Sequence, residues 1–333
     1  MAKLIGADQP SEIIFTSCGT EADSTAIWSA LNTETDKNHI ITTRVEHPAV
    51  RSLALHLKRK GYRITELPVD SAGLIDPRDV ERAITKKTAI ISIMSANNET
   101  GVLFPIEEIG RIAAGYGVKL HTDAVQLVGK QPLDVRNLNV NFLALSGHKI
   151  HAPKGVGALY VKRGTRFRPF LIGGHQERGR RGGTEAVPNV VALGKAAELA
   201  LDHVTEERTH VRALRDWLEQ GLLEAIPRSQ VNGDLLNRLP NTTNVSFEHV
   251  EGEAILLMMS DLGIAASSGS ACTSGSLEPS HVLRAMGVPY TFAHGSIRFS
   301  LSRYNTADEV EYVLEHMPPI IARLREISPF WKD

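Results

Sequence analysis

Short apolar runs recur through the first half of the chain, at 12–15, 39–43, 63–69, 89–94, 118–122, 142–145 and 158–161. They have the length of strands rather than helices. Between several of them the apolar positions switch to helical spacing, as over 49–60 and 106–116, and a further helix opens at 21–31. Strands alternating with helices predict an α/β fold: a mostly parallel seven-stranded sheet covered by helices on both faces.

The pattern changes in the second half. From 189 to 226 it is helical for a long stretch, with Leu199, Val211, Leu214, Leu218 and Leu222 on one face and a break near Val204. Strand patterns at 244–247 and 297–301 and helical ones at 252–262 and 308–327 follow. The division expected is a large domain over 1–205 and a smaller α+β domain over 206–333. No internal repeat interrupts either, and the one compositional bias is the Ser/Gly-rich stretch 267–276.

Composition narrows the class. Hydrophobic residues at 42% and charged residues at 23% belong to an ordinary globular protein, and 333 residues suffice for one large or two ordinary domains. A net charge of −1 argues against nucleic acid or an anionic membrane as partner. The arginines at 163, 166, 168, 178, 180 and 181 have too few aromatic neighbours to change that. No apolar run approaches the ~20 residues of a membrane span, and no signal peptide opens the sequence, so the cytoplasm is the expected compartment. The two cysteines, Cys18 and Cys272, make neither a disulfide framework nor a zinc site. His121, Asp123, His148 and His151 lack a known ligand spacing, and no metal is expected.

Candidate chemistry gathers at strand ends. Ser146, Gly147 and His148 close an apolar run, and Lys149 follows at once. Small and polar residues there leave room for a phosphate, and the lysine amine can form a Schiff base with an aldehyde. Asp123 ends another run, with Gln126 three residues on. Pyridoxal 5'-phosphate (PLP) needs an anion against its pyridine nitrogen, which Asp123 can supply; Gln126 can hydrogen-bond the ring oxygen. Gly19 and Thr20 sit in a strand-to-helix turn, where free N–H groups bind phosphate, although Thr20 or Ser17 there can equally be a plain cap. Cys18 in the same turn reads as structural. Cys272 lies among serines and glycines, a setting for a reactive thiol on a loop more than for a buried small hydrophobe.

Asp123-x-x-Gln126 with Ser146-Gly147-His148-Lys149 resembles the fold type I PLP-dependent transferases. The long stretch from Ser267 through Cys272 to Leu283, followed by Gly295 to Arg303, resembles the cysteine desulfurases of the class V aminotransferase group. Phe15 to Glu21, Gly173 to Arg181 and Ser328-Pro329-Phe330-Trp331 resemble their nitrogen-fixation, NifS-like branch. The match runs over essentially the whole chain.

The resemblance implies roles that the residues alone leave open. His47, otherwise a loop histidine beside a proline, would stack on the cofactor ring, relay protons and help form the Cys272 thiolate. Asn98, otherwise part of the Asn97-Asn98-Glu99 turn, would lie near the cofactor hydroxyl or the substrate carboxylate. Arg298, on the polar side of its strand, would clamp that carboxylate with its guanidinium fork. Thr184 would reach the cofactor phosphate of the neighbouring subunit in a homodimer. The reaction implied turns L-cysteine into L-alanine, with Lys149 moving the Cα proton and Cys272 taking the sulfur as a persulfide. An iron–sulfur scaffold protein would be the sulfur acceptor.

Alternatives remain within and outside this class. Selenocysteine lyase or a simple aminotransferase would share Asp123 and Lys149. Family members open with several dozen residues that this sequence, starting Met1-Ala2-Lys3, does not contain, and that segment helps build the substrate pocket. An inactive truncated sulfur carrier or binding protein is therefore the reading from another class.

Overall fold

Uninterrupted burial accounts for the first sheet. In the computed structural model, which describes residues 1–268 and 278–331, strands β2 (His39–Thr43), β4 (Thr88–Ser92), β6 (Phe142–Ser146) and β7 (Gly157–Val161) bury every residue they contain. Only a sheet covered on both faces permits that. With β1 (Ile13–Thr16), β3 (Arg63–Leu67) and β5 (Lys119–Asp123) they form seven strands in the order β1-β7-β6-β5-β4-β2-β3. Strands β2 to β6 run parallel, and β7 is antiparallel to both its neighbours. The expected mostly parallel seven-stranded sheet is present. Boundaries differ from the sequence pattern by a residue or two; the 63–69 run, for instance, stops pairing at Leu67.

The helix Gly19–Thr33 packs on this sheet through Ala22, Ala26, Ile27, Ala30 and Leu31. They join Ile14, Ile40, Ile90, Phe142 and Leu159 in one core cluster. Phe142 is fully enclosed, so truncating it to alanine costs about 3–5 kcal/mol. The unit so built comprises Met1–Pro68, Ile75–Asn97 and Leu103–Val204.

A second compact unit comprises Thr205–Asp333 together with Val69–Leu74 and Asn98–Val102. Its antiparallel sheet has the order β10-β11-β9-β8, from β8 (Ser229–Val231), β9 (Thr242–Phe247), β10 (Ser267–Ser268) and β11 (Ser296–Ser300). Leu218, Leu222, Val245, Phe247, Ile297, Phe299, Met317 and Ile321 make its core. The long helical stretch is indeed interrupted: Val187–Asp202 ends before Val204, a π-helical turn occupies Glu207–Val211, and Arg212–Ala225 continues. The last helix, Ala307–Ile327, opens on a Thr306/Glu309 capping box and holds Pro318 and Pro319 inside it. Among the described residues, no helix is long and apolar enough to cross a membrane.

Candidate active site

Register brings the first group of residues together. Asp123 ends β5 and pairs with Ala144 on β6, two residues before Ser146 ends that strand. Gly157, at the start of β7, pairs with Ser146 on one side and with Thr16, the last residue of β1, on the other. The ends of β5, β6 and β1 thus line one edge of the sheet, which is where open α/β sheets bind ligands.

The helix N-terminus that follows β1 closes on this edge. A Cβ placed on Gly19 would lie 2.8 Å from Val125 Cγ2 and 3.4 Å from Ser146 Cβ. One on Gly157 would lie 2.7 Å from the Leu145 carbonyl oxygen. Glycine is what lets the three segments meet. Thr20 is exposed in the first turn of the helix. Ser146 is buried, and its Oγ lies 2.9 Å from His148 Nδ1. The turn itself is pinned by Glu21, which accepts from Ser17 N at 2.8 Å and pairs with Arg181 Nε at 2.8 Å. Two more arginines of that cluster, Arg178 and Arg180, donate to carbonyl oxygens of residues 11 and 13.

Lys149 lies in a single 3-10 turn, Gly147–Ile150, directly after β6. Its charge reaches Asp123. Burial pushes the Asp123 carboxyl up to about 7, with Asp23 adding to the rise and the Val125 N–H, His121 and Lys149 opposing it. Asp23, on the buried face of the Gly19–Thr33 helix, and Glu46, after β2, are two further sealed carboxyls. Burial raises Asp23 well above the usual carboxylate range and Glu46 to about 8. Glu46 accepts from Thr43 Oγ1 at 2.7 Å and from Met94 N at 3.1 Å. Pattern reasoning passed over both acids. The readable sign for Asp23 was its helical spacing, three and seven residues, to Ala26 and Ala30.

His47 caps the helix Pro48–Arg59 by accepting from Ala49 N at Nδ1, 3.1 Å away. A neutral ring that accepts at Nδ1 carries its hydrogen on Nε2. Gln126 is half-buried in the turn after β5, and Thr184 is exposed ahead of the helix Val187–Asp202.

Arg298 and Asn98 meet in the second unit. Ile297 and Phe299 point into the core and Arg298 to the other face, as the alternation predicts. Arg298 Nη1 donates to the Asn98 carbonyl oxygen at 2.6 Å. Its cross-strand partner Asn244 donates from Nδ2 to the Glu99 carbonyl oxygen at 3.2 Å. Asn98 Oδ1 is buried and finds no hydrogen-bond partner among the described residues. Glu99 itself is buried and accepts a short hydrogen bond from Ser280 Oγ. Cys272 lies outside the described residues.

The donor set of the first unit suits PLP. A helix N-terminus and Ser146 offer N–H and O–H groups to a phosphate, and a buried carboxyl held near neutrality offers a place for a cationic ring nitrogen. Lys149, whose charge reaches that carboxyl, offers an amine. Among the described residues no group of three or more His, Cys, Asp or Glu side chains is arranged to hold a metal ion.

Sheet order and strand-edge site define the class as a fold type I PLP-dependent enzyme. The chain belongs to the aminotransferase class-V family, whose pattern matches residues 1–313. It is 59% identical over 329 residues to cysteine desulfurase NifS of Azotobacter vinelandii, covering 99% of this chain and 82% of that protein. A cysteine desulfurase of Gluconacetobacter diazotrophicus is 61% identical over 329 residues, covering 98% and 82%. Among solved structures, a NifS-like protein superposes with a TM-score of 0.90 at 39% identity, covering 97% of this chain and 86% of that one. The NifS-like protein from Rickettsia africae gives 0.86 at 32% identity, covering 96% and 85%.

Proposed function

We propose that this chain is a PLP-dependent cysteine desulfurase: it converts L-cysteine to L-alanine and takes the sulfur onto Cys272 as a persulfide. The observation that carries this reading is the 59–61% identity, over 98–99% of the chain, to proteins named cysteine desulfurase. The geometry of the first unit supports it. PLP, when bound, supplies an electron sink that makes the substrate Cα–H acidic and the bond to its sulfur labile. Gly19, Thr20 and Ser146 hold the phosphate through backbone N–H and hydroxyl donors. His148, 2.9 Å from Ser146 Oγ, orients that hydroxyl.

Asp123 would hold a proton on the ring nitrogen, and Gln126 would orient the ring oxygen. Lys149 Nζ would anchor the cofactor through its aldehyde and would move the proton at the substrate Cα. His47 would lie against the ring and relay protons. Asn98 and Arg298 hold the substrate carboxylate. The Cys272 thiolate attacks the sulfur of bound L-cysteine: a sulfur–sulfur bond forms, the carbon–sulfur bond breaks, and alanine leaves with the electron pair and a proton. The persulfide then passes to an iron–sulfur scaffold protein in the cytoplasm. The working unit is a homodimer, in which Thr184 reaches the partner's phosphate site.

Peptide mass spectrometry after exposure to L-cysteine, without reductant, tests the central step. A gain of one sulfur on the Cys272 peptide supports the reading. Sulfur found on Cys18, or on neither cysteine while alanine accumulates, contradicts it.

A further inference from the structure

Glu21 puts a negative charge where an anion is meant to bind. It lies in the first turn of the helix Gly19–Thr33, the N-terminus proposed to take the cofactor phosphate. Its carboxylate anchors the entry to that helix: Oε2 accepts from Ser17 N at 2.8 Å and from Ser17 Oγ at 2.5 Å. Arg181, 160 residues away in sequence, closes on it as a fork, Nε to Oε1 at 2.8 Å and Nη2 to Oε2 at 3.1 Å. Both side chains are mostly buried. Burial raises the Glu21 carboxyl, but the bonds from Arg181 and Ser17 outweigh it and hold the group below the usual carboxylate range, so it is ionised near neutral pH. The loop that carries Arg181 is fastened on both sides. Arg180 Nη2 donates to the Ser11 carbonyl oxygen at 2.8 Å, and Gly182 N to the Leu171 carbonyl oxygen at 2.9 Å. A Cβ on Gly182 would lie 2.7 Å from Gly173 Cα, so glycine is what lets the two arms of the loop close. The guanidinium thus meets Glu21 from an anchored backbone.

A phosphate ester carries about two negative charges near neutral pH, and an uncompensated carboxylate one residue from Thr20 would repel it. The carboxylate has its own task in holding Ser17, and a counter-charge lets it do so beside a phosphate. We propose that Arg181 is a positioning residue for the cofactor phosphate: its two-point ion pair cancels the Glu21 charge, so that the turn keeps its anchor without repelling the dianion. The inference rests on the PLP reading of this site. A guanidinium fork meets both carboxylate oxygens at once, which a lysine ammonium does not.

Equilibrium titration of the full-chain apoprotein with PLP and, separately, with pyridoxal reads the effect by absorbance, because pyridoxal has the same ring and aldehyde and no phosphate. Arg181→Gln is expected to weaken PLP binding about 10-fold or more and to change pyridoxal binding less than about 2-fold. Glu21→Gln keeps an oxygen for Ser17 and removes the charge, so on its own it binds PLP at least as tightly as the wild type. Added to Arg181→Gln, it returns PLP affinity to within about 3-fold of the wild type, a rescue that marks the two charges as one unit. Arg181→Lys, with the charge and without the fork, falls between the wild type and Arg181→Gln. Equal weakening of PLP and pyridoxal by Arg181→Gln overturns the proposal, as does unchanged PLP affinity, a double variant no better than the single one, or weaker PLP binding by Glu21→Gln. This last variant and Arg181→Lys decide the matter if Arg181→Gln does not fold. A wild type that binds PLP no more tightly than pyridoxal overturns the phosphate site itself.

Discussion

Nε2 of His121 lies 3.3 Å from Oδ1 of Asp23, and both side chains are sealed from solvent. His121 Nδ1 lies 2.9 Å from Ser92 Oγ, and burial lowers the ring's pKa to about 4, so the imidazole is neutral. Among the described residues Asp23 finds no compensating cation there, and its own charge opposes that of Asp123. The two carboxyls compete for ionisation, and the one proposed to face the ring nitrogen must win. Asp23→Asn removes the competitor. The acid limb of PLP binding by the apoprotein, followed by absorbance, is expected to move to lower pH. An unchanged limb means that burial alone sets Asp123.

Glu46 gives a stability prediction with a definite sign. Its folded-state pKa, about 8, lies above its ordinary 4.5. Between those values the unfolded chain has lost the proton and the native one keeps it, so native stability falls as pH rises through this window and levels off above it. Its contribution is fully present below the ordinary pKa. Glu46→Gln removes this slope. Chemical denaturation of the apoprotein at pH values spanning about 5 to 9 should show a flatter profile in the variant. Parallel profiles would mean that Glu46 is ionised in the native state.

Gly19 tests the close approach at the helix N-terminus. A methyl group there meets Val125 Cγ2, in the turn after Asp123, at 2.8 Å. Gly19→Ala is expected to cost about 1–3 kcal/mol of overpacking and to weaken PLP binding by the apoprotein. Thermal melts and a PLP titration check the two effects separately. Unchanged values for both would place the phosphate elsewhere.

Lys149 is expected to be the covalent anchor. Borohydride reduction of the PLP-loaded protein should fix the cofactor to the peptide carrying Lys149, read by mass spectrometry. Lys149→Ala should lose the label with its fold intact by circular dichroism. A label on any other lysine would move the anchor.

Much of this was legible in the sequence, because strands buried on both faces leave continuous apolar runs. All seven strands of the first sheet register there, β2 at 39–43 to the residue. The break near Val204 shows too, in a stretch whose helical face does not continue. The two short strands β8 and β10 do not. Ser229–Val231 and Ser267–Ser268 are short and largely polar, and they pair only because β9 and β11 offer open edges. Nor does the transfer of Asn98–Val102 to the second unit, which depends on hydrogen bonds from Arg298 and Asn244 about 150–200 residues away in sequence. Asp23, Glu46 and Glu99 look like surface acids until packing encloses them. Cys272 is legible only from its neighbours' composition and from resemblance.

The most direct test of the desulfurase reading is alanine formed from L-cysteine by the purified chain with added PLP, beside Cys272→Ser and Lys149→Ala. Alanine from the wild type, little from Cys272→Ser and none from Lys149→Ala is the predicted result. Undiminished alanine from Cys272→Ser would contradict the assignment of Cys272 as the sulfur acceptor, and no alanine from a wild type that binds PLP would contradict desulfuration by this chain.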